Sequence, residues 1–545
     1  MQKDKTISKE EDSTTTKIDP SNASTIPKFM DSLPIPPVAR PIEGHKCDYD
    51  SELYYNIVMR ETKHKFHELF PYSKIWGYDG MYPGPTIEAK KDVPILVEWS
   101  NDLPNKHFLP VDKTLHGSSD SPEVRTVVHL HGANVDPDSD GYPEAWYTRD
   151  YRVFGPKFKR EVYEYTNHQP GTTLWYHDHS LGITRLNVYA GLAGFYILRD
   201  SLEQRLNLPK GKYEIPIIVQ DKTFNSDGSI FYPSAPTPPP PVPPDIPNPS
   251  IVPFFLGDTI VANGKLWPHL DVEPRKYRFR ILNGSNRRSY NFKLSKKNME
   301  FIQIGTDGGL RHHKKNISSF ILQPSERIDV IIDFSNLKNE SILLLNTGEG
   351  VDAVDDNTNV IMKFKVVKPL SSPDSSVIPT ELTPLHDINE AFARETRNLP
   401  LNFDVDHYGR PMLLLGDRMW NEPATEKPAF DSIEVWNIIN TTFLDHPIHV
   451  HLVQFQILSR RSFDAQKYLN EGILDYGNSP IEDPLPFEEG FKDTIRAEAN
   501  KVTTIVMHFK EHYGDYVWHC HFLEHEDHDM MRPLRIIKES ADLKS

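Results

Sequence analysis

Four short histidine clusters constrain the fold of this chain more than any other feature. A β-strand sends every second side chain to the same face, so each His-x-His can direct two imidazoles to one place. The fourth cluster encloses a cysteine, which points the opposite way and can bind a separate metal. The clusters are His129-Leu-His131, His177-Asp-His179, His446-Pro-Ile-His449-Val-His451, and His519-Cys520-His521 followed by His525 and Met530.

The ligand types in these clusters favour copper. A thiolate and two imidazoles with a weak thioether form the ligand set of a blue-copper electron-transfer centre. Zinc is the main rival, but this chain has neither the paired cysteines of structural zinc sites nor the H-E-x-x-H of zinc proteases. A lone His-x-His is usually an ordinary polar pair. Four clusters together predict a one-electron copper site joined to a copper cluster through Cys520 and its two neighbours.

Composition limits the possible partners and locations. A length of 545 residues predicts about three domains. No apolar run approaches the ~20 residues that span a bilayer, so we expect no membrane insertion. The first thirty residues lack an apolar signal core and a twin-arginine pair, which predicts cytoplasmic synthesis without export by the usual routes. The net charge of −16 argues against a nucleic-acid partner.

The chain has two cysteines, Cys47 and Cys520. If Cys520 binds copper, Cys47 has no partner within the chain, so no disulfide framework is expected. We interpret Cys47 as a small buried or half-buried thiol.

Short alternating or β-branched segments separated by Asn, Gly, Asp and Pro predict an all-β fold of sandwiches or barrels. The polar residues 1–30 are expected to form a disordered tail. The Pro-dense stretch 233–253 is expected to be an extended loop, and 368–395 an interdomain linker. The predicted strands include residues 93–99, 126–131, 277–282, 328–334 and 502–509.

The two ends of the chain are similar to each other. In each, a His-x-His is followed by a second cluster that a tryptophan precedes, and Asp178 stands where Cys520 stands in the later copy. This repeat predicts that domains 31–200 and 396–545 share the cluster ligands. The domain between them, 205–367, has no His-x-His, so we interpret it as a spacer or a substrate wall without copper.

The clusters and their flanking residues resemble the three-domain multicopper oxidases, and most closely the group of bacterial endospore-coat laccases and bilirubin oxidases. The resemblance covers about residue 30 to the end and implies three cupredoxin-like Greek-key β-sandwich domains. The matching stretches are Val127-Val-His-Leu-His-Gly132, Asp138-Ser-Asp-Gly-Tyr-Pro-Glu-Ala-Trp146, Trp175-Tyr-His-Asp-His179, Val272-Glu-Pro-Arg-Lys-Tyr-Arg-Phe-Arg280, His446-Pro-Ile-His-Val-His451, Tyr516-Val-Trp-His-Cys-His521, Leu523-Glu-His-Glu-Asp527 and Asp529-Met-Met-Arg-Pro533.

The resemblance implies four copper ions and a role for each ligand. Met531 competes with Met530 as the axial ligand, but the family spacing favours Met530 and leaves Met531 to packing. His528 is interpreted as a solvated side chain. The implied ligands are His446, Cys520, His525 and Met530 for type 1 copper; His129 and His449 for type 2; His131, His177 and His521 for one type 3 ion; and His179, His451 and His519 for the other.

Two carboxylates receive roles from the same resemblance. Reduction of dioxygen to water consumes four protons, so acids near the cluster are needed. Glu526 follows a type 1 ligand and is expected to donate protons, and Asp140 is expected to act electrostatically beside the type 2 copper. Either could be a surface carboxylate on sequence alone.

The implied activity is that of a laccase, in which dioxygen accepts electrons from phenols, aromatic amines or tetrapyrroles that dock at the edge of His525. Bilirubin oxidase shares these ligands and stays an alternative. An oxidase of cuprous or ferrous ions is disfavoured because the chain has 11 Met and no Met-rich insert. A structural spore-coat protein or a simple electron carrier would leave the complete ligand sets unexplained. The resemblance also implies an outer spore-coat location and possible coat-protein partners.

Overall fold

Strands dominate the part of the chain that the computed structural model describes, which is residues 18–43, 53–236 and 242–538. This confirms the all-β prediction. Each predicted strand segment overlaps an observed strand, and the strand Ile95–Asp102 begins directly after Pro94, as expected for a residue that lacks a backbone donor. The strands form three pairs of sheets, each built from one stretch of the chain. We call these stretches the first, middle and third modules.

The first module pairs the sheet β2-β1-β4-β6 with the sheet β3-β8-β7-β5. Several neighbouring strands, such as β1 and β4 or β3 and β8, are not consecutive in sequence, which is the pattern of Greek-key connections. Its strands are β1 Leu53–His64, β2 Ser73–Tyr78, β3 Gly84–Lys90, β4 Ile95–Asp102, β5 Val128–His131, β6 Val162–Tyr165, β7 Thr172–Asp178 and β8 Ala193–Arg199.

The middle module has the sheets β12-β11-β9-β14-β19-β16-β17, with β10 beside β9, and β13-β21-β20-β15-β18. Its strands are β9 Glu214–Phe224, β10 Ile230–Phe231, β11 Thr259–Ala262, β12 Lys265–Leu266, β13 His269–Asp271, β14 Lys276–Asn283, β15 Tyr290–Leu294, β16 Phe301–Thr306, β17 Gly309–Ile317, β18 Ser319–Leu322, β19 Arg327–Asp333, β20 Ser341–Asn346 and β21 Val360–Lys365.

The third module pairs the sheet β23-β22-β24-β28-β26 with the sheet β27-β25-β29-β30. Its strands are β22 Ala393–Val405, β23 Pro411–Leu415, β24 Ser432–Asn440, β25 His446–Val450, β26 Phe455–Ser462, β27 Thr494–Ala497, β28 Lys501–Phe509, β29 Gly514–Cys520 and β30 Met531–Ile536.

Helices are short and lie between strands. The α-helices of the described residues are α1 Thr184–Ala190, α2 Ser201–Arg205, α3 Ala465–Glu471 and α4 Leu523–Glu526. Single 3₁₀ turns lie at Ala23–Thr25, Pro137–Ser139, Arg149–Tyr151, Gly211–Tyr213 and Glu390–Phe392. No helix of the described residues is long and apolar enough to cross a bilayer.

The first and third modules present their histidines through the same strand pairing. β5 pairs antiparallel with β7, and His129 lies opposite His177. β25 pairs antiparallel with β29, and His449 lies opposite His519. The repeat seen in the sequence therefore corresponds to the same pairing of histidine-bearing strands in the first and third modules.

Asp178 occupies the place in the first module that Cys520 occupies in the third, one residue along the same strand pair. Its carboxylate accepts hydrogen bonds from the backbone of Val127 at 3.0 Å, from the backbone of Ser180 at 3.0 Å and from the side chain of Asn187 at 2.7 Å. Hydrogen-bond donors therefore surround Asp178 at the position where the third module has its thiol.

The predicted disordered tail is wrong for its described part, residues 18–30; residues 1–17 lie outside the described residues. Ile26 is buried in the core that the first and middle modules share. Phe29 donates its backbone N–H to Trp267, and Leu33 to His269. Contacts with the middle module order this segment although its own sequence is polar.

The linker predicted at 368–395 is irregular only up to residue 389, because Glu390–Phe392 is a 3₁₀ turn and β22 begins at Ala393. We propose 31–200 and 205–367 as the first two domains, with this linker leading to a third domain that begins at β22. Residues 368–389 form no helix or strand beyond an isolated bridge at Glu381, and Leu382 packs on the middle module. The described residues of the Pro-dense stretch after Phe231 also form no helix or strand. Residues 237–241 and Cys47 lie outside the described residues.

The hydroxyl of Tyr516 in β29 donates a 2.8 Å hydrogen bond to the carbonyl of Val135 and so joins the third module to the first. Tyr516→Phe keeps the ring but leaves that buried carbonyl without its partner. We expect the free energy of unfolding to fall by about 1–3 kcal/mol. Thermal unfolding measures this, with Tyr513→Phe on the half-exposed Tyr513 as the control; equal stability of both variants would contradict the assigned contact.

Candidate metal centres

Cys520 and two histidines form one buried group inside the third module. The Sγ of Cys520 lies 3.6 Å from Nδ1 of His446 and 3.9 Å from Nδ1 of His525. β25 carries His446, β29 carries Cys520, and His525 follows in α4. All three side chains are at most 2% exposed. In the sequence these three residues are up to 79 positions apart. The sequence predicts them in one site, and the structure brings them together.

The backbone of Met530 contacts this group: its carbonyl accepts from the Cys520 N–H at 3.0 Å, and its N–H donates to the carbonyl of His525 at 2.9 Å. The side chain of Met530 packs in the same buried core as Cys520 and Phe522. Met531 instead packs with Tyr142 at the contact between the first and third modules. This packing favours Met530 as the axial candidate.

Eight imidazoles converge between the first and third modules. Nε2 of His519 lies 3.2 Å from Nε2 of His179 and 3.2 Å from Nε2 of His451. Among the described residues, the ring nitrogens form three groups of mutual neighbours: His129, His131 and His449; His131, His177 and His521; and His179, His451 and His519.

Two stacked ring pairs cross the contact between the modules. The ring centroids of His131 and His449 are 3.6 Å apart with an interplanar angle of 15°, and those of His129 and His451 are 3.8 Å apart at 17°. Each pair joins one histidine of the first module to one of the third. Neither module can form this group alone.

Backbone carbonyls orient several of the rings. A carbonyl oxygen only accepts, so a ring nitrogen beside it carries the proton, and the other nitrogen keeps its lone pair. In three rings Nδ1 is held this way and Nε2, which faces the cluster, has no partner. The Nδ1-to-carbonyl distances are 2.6 Å in His129, 2.8 Å in His177 and 2.8 Å in His449.

These nitrogens fit a metal. Buried polar atoms are normally satisfied, and a lone pair facing another at 3.2 Å, as between His451 and His519, is repulsive without a cation between them. Burial lowers the pKa of His179, His446 and His519 to about 3, so these rings are neutral and able to coordinate at pH 7. Burial raises the pKa of the Cys520 thiol, so it ionises only when a metal stabilises the thiolate.

Glu526 lies in α4 beside the cluster and is 1% exposed. Its Oε2 is 3.1 Å from Nδ1 of His519 and its Oε1 is 3.6 Å from Nδ1 of His179, and neither oxygen makes a well-aligned hydrogen bond. Burial raises the pKa of this carboxyl group. The surface interpretation of Glu526 is excluded by its burial.

Asp140 bridges the two modules. Its Oδ2 accepts from Nδ1 of His451 at 2.7 Å, while its backbone carbonyl accepts from His129. Gly141 follows with a φ of +82°, and a Cβ there would collide with the carbonyl of Val128. The glycine lets the Asp140 loop approach β5 closely. Asp140 is 1% exposed, so it is also not a surface residue.

His528 lies inside the molecule. It is 4% exposed, and its Nε2 lies 3.2 Å from Oδ2 of Asp406. The prediction of a solvated side chain is wrong because the segment after α4 packs inside the molecule, where the neighbouring Asp527 receives hydrogen bonds from Arg185 of the first module.

Several groups that touch these histidines were not predicted from the sequence, among them Thr442 and Asp493. The Thr442 hydroxyl lies 2.9 Å from Nε2 of His446. The carboxylate of Asp493 lies 3.1 Å from Nε2 of His131. Thr442 could have been found from its place four residues before His446, but Asp493 lies outside every histidine cluster and has no spacing signal.

Comparisons with known proteins agree with this geometry. Three multicopper oxidase family models match the chain at residues 111–203, 206–364 and 393–540. A laccase of Bacillus subtilis (strain 168) is 50% identical over 94% of this chain and 99% of that protein, and a laccase of Bacillus stratosphericus is 51% identical over the same shares.

Solved structures show the same architecture. A laccase from Pediococcus acidilactici has a TM-score of 0.72 at 25% identity and covers 94% of this chain and 95% of that one. The McoA multicopper oxidase of Aquifex aeolicus has a TM-score of 0.71 at 27% identity and covers 93% and 99%. These matches confirm the resemblance found in the sequence, and the chain belongs to the multicopper oxidase family.

Proposed function

We propose that this multicopper oxidase is a laccase, coupling one-electron oxidation of aromatic donors to reduction of dioxygen to water. The observation that carries the proposal is the position of Cys520 between two cluster histidines. Its side chain belongs to the mononuclear group, while His519 and His521 belong to the eight imidazoles. One tripeptide therefore connects electron entry with oxygen reduction.

We propose the following ligands, in line with the neighbour groups of the ring nitrogens. Four copper ions, as is typical of the family, supply single-electron oxidation and four-electron reduction of dioxygen when bound. Type 1 copper is assigned to His446, Cys520, His525 and Met530; type 2 to His129 and His449; and the type 3 pair to His131, His177 and His521 and to His179, His451 and His519.

The donor is proposed to dock at the edge of His525. Nε2 of this ring has no partner, and Phe254 meets the ring edge-on at a centroid distance of 5.8 Å. Phe254 is 39% exposed, so an apolar face remains open beside the histidine. Such a face suits flat aromatic donors of many shapes, including phenols, aromatic amines and tetrapyrroles, because exposed ring surface binds without demanding a specific hydrogen-bond pattern.

Protons for the cluster are proposed to come through Glu526. A buried carboxyl group within 3.1 Å of His519 can hold a proton close to the reaction without competing water. Asp140 is proposed to hold the orientation of His129 and His451 and to supply negative charge beside the type 2 site.

The rival donors and the location lead to separate experiments. Bilirubin oxidase remains the nearest alternative, and oxidation of metal ions is disfavoured because the chain lacks a Met-rich insert. Oxygen uptake by copper-loaded protein should be fast with a phenol and slow with Cu(I); the reverse order would make it a metallo-oxidase.

We also propose outer spore-coat residence, on the resemblance of its flanking motifs, and immunolocalisation in spores tests this.

Cys520→Ser removes the thiolate while nearly preserving side-chain volume. We expect loss of the blue absorption band and of phenol oxidation, because both depend on sulfur ligation of the mononuclear site. Visible spectroscopy and oxygen uptake measure the two effects. A variant that stays blue would contradict the assignment of Cys520.

Glu526→Gln keeps shape but removes the acid. We expect turnover to slow by about 10²-fold or more with the blue band unchanged, because proton delivery and not electron entry is lost. Glu524→Gln is the matched control, since Glu524 is equally buried in α4 but hydrogen bonds to Tyr232 and Asn286. Unchanged turnover in Glu526→Gln, or equal slowing in both variants, would remove the proposed role.

A further inference from the structure

The Asp493 carboxylate lies against the His131 ring, and its Oδ1 is also 3.9 Å from Nδ1 of His449. Its Oδ1 is 3.1 Å from Nε2 of His131. A carboxylate accepts, so Nε2 carries the proton and Nδ1, which has no partner, keeps the lone pair that faces the cluster. The Thr494 hydroxyl lies 3.3 Å from the same Nε2. Asp493 thus selects the ring form in which His131 can coordinate.

Strand register places Asp493 beside a second cluster histidine. β27 begins at Thr494, which pairs with His449 of β25. The backbone carbonyl of Asp493 accepts from Nδ1 of His449 at 2.8 Å. The side chain and the backbone of one residue therefore orient two rings, one from each end of the chain, and these are the rings that stack at 3.6 Å.

The middle module holds this carboxylate in place. Arg327, at the start of β19, donates from Nη1 to Oδ1 of Asp493 at 2.7 Å and from Nη2 to Oδ2 at 2.6 Å. Neither side chain has exposed surface. A two-point contact of this kind fixes both the position and the rotation of the carboxylate.

Arg327 is itself anchored to two modules. Its Nε donates to the carbonyl of Thr173 in β7 at 2.8 Å, and its backbone N–H donates to Oδ1 of Asp307 at 2.7 Å. Gly132, directly after His131, has a φ of +84°, and a Cβ there would collide with Asp493 and Arg327. The pair is therefore built against the backbone that carries His131.

We propose that Asp493 and Arg327 are positioning residues for the trinuclear copper cluster, so that the middle module, which carries none of the proposed copper ligands, sets the orientation of His131 and His449. This rests on the proposed assignment of both histidines to the cluster. Loss of the pair frees the His131 ring to rotate or to move its proton to Nδ1, and either change removes a ligand from the cluster.

The test compares Asp493→Asn and Arg327→Lys with the unaltered protein, each loaded with excess copper and then dialysed. The amide introduced by Asp493→Asn places a donor against Arg327, and the lysine introduced by Arg327→Lys cannot make the two-point contact. We expect copper affinity of the cluster to fall by about 10–100-fold. Copper per chain and the type 2 electron paramagnetic resonance signal should both decrease, while the blue band of the Cys520 site persists.

The control variant Glu488→Gln distinguishes loss of histidine positioning from a general loss of protein stability. Glu488 pairs with Arg460 through two 2.6 Å hydrogen bonds and is 3% exposed. It lies in the third module like Asp493, but its carboxylate is held by an arginine and not by a cluster histidine. This control should keep four copper ions. Full copper retention and an unchanged type 2 signal in both Asp493→Asn and Arg327→Lys would overturn the proposal, as would equal copper loss in Glu488→Gln.

Failure of the proposed function gives a different result. If the unaltered protein binds no copper among the eight imidazoles, the ligand assignment fails first. If it binds four ions and the two variants do as well, only the positioning role is lost. Arg327→Lys keeps the buried charge and is the variant more certain to fold, so the comparison stands even if Asp493→Asn cannot be purified.

Discussion

Strand alternation within β29 is the constraint on which the rest of the molecule depends. It sends Cys520 to one face and His519 and His521 to the other. In β25, His446 and His449 are three residues apart and therefore also lie on opposite faces. His446 faces the cysteine and His449 faces the cluster. Two redox sites are thereby separated by no more than the thickness of one sheet, and a covalent path joins them.

Burial keeps these imidazoles neutral and therefore able to coordinate a metal. It also costs free energy, because it removes water from ring nitrogens that have no other partner. Neutral rings with unpartnered nitrogens are poor packing elements unless a metal completes them. The fold offsets this in five of the rings through hydrogen bonds on the side away from the metal-facing nitrogen. The rings of His129, His177 and His449 donate to backbone carbonyls, that of His451 donates to Asp140, and that of His131 donates to Asp493. Orientation of the rings thus comes from backbone register and from two acids on neighbouring segments.

The three modules have unequal but connected tasks. The first and third supply the histidines, and the third alone supplies the cysteine. The middle module supplies Arg327, which reaches Asp493 across the contact between modules. It also supplies Phe254 beside His525 at the proposed point of electron entry. Of the two interpretations from the sequence, a spacer or a substrate wall, the place of Phe254 favours the wall, and neither included the contact of Arg327 with Asp493.

Local pattern predicted the strands and which histidines lie close together, because period-two alternation and His-x-His spacing both follow from the geometry of a single strand. It failed where burial is decided by distant contacts. The polar segment around Ile26 is ordered by the middle module, and His528 is buried against Asp406. Asp493 lies 44 residues after His449, and only the pairing of β27 with β25 brings them together. No spacing rule within one segment contains that information.

Anomalous diffraction at the copper edge, from crystals of the copper-loaded protein, tests the central claim most directly. Four peaks are expected: one beside Sγ of Cys520 and three enclosed by the eight imidazoles between the first and third modules. A single peak at Cys520 with an empty space among the imidazoles, or copper bound elsewhere, would contradict it.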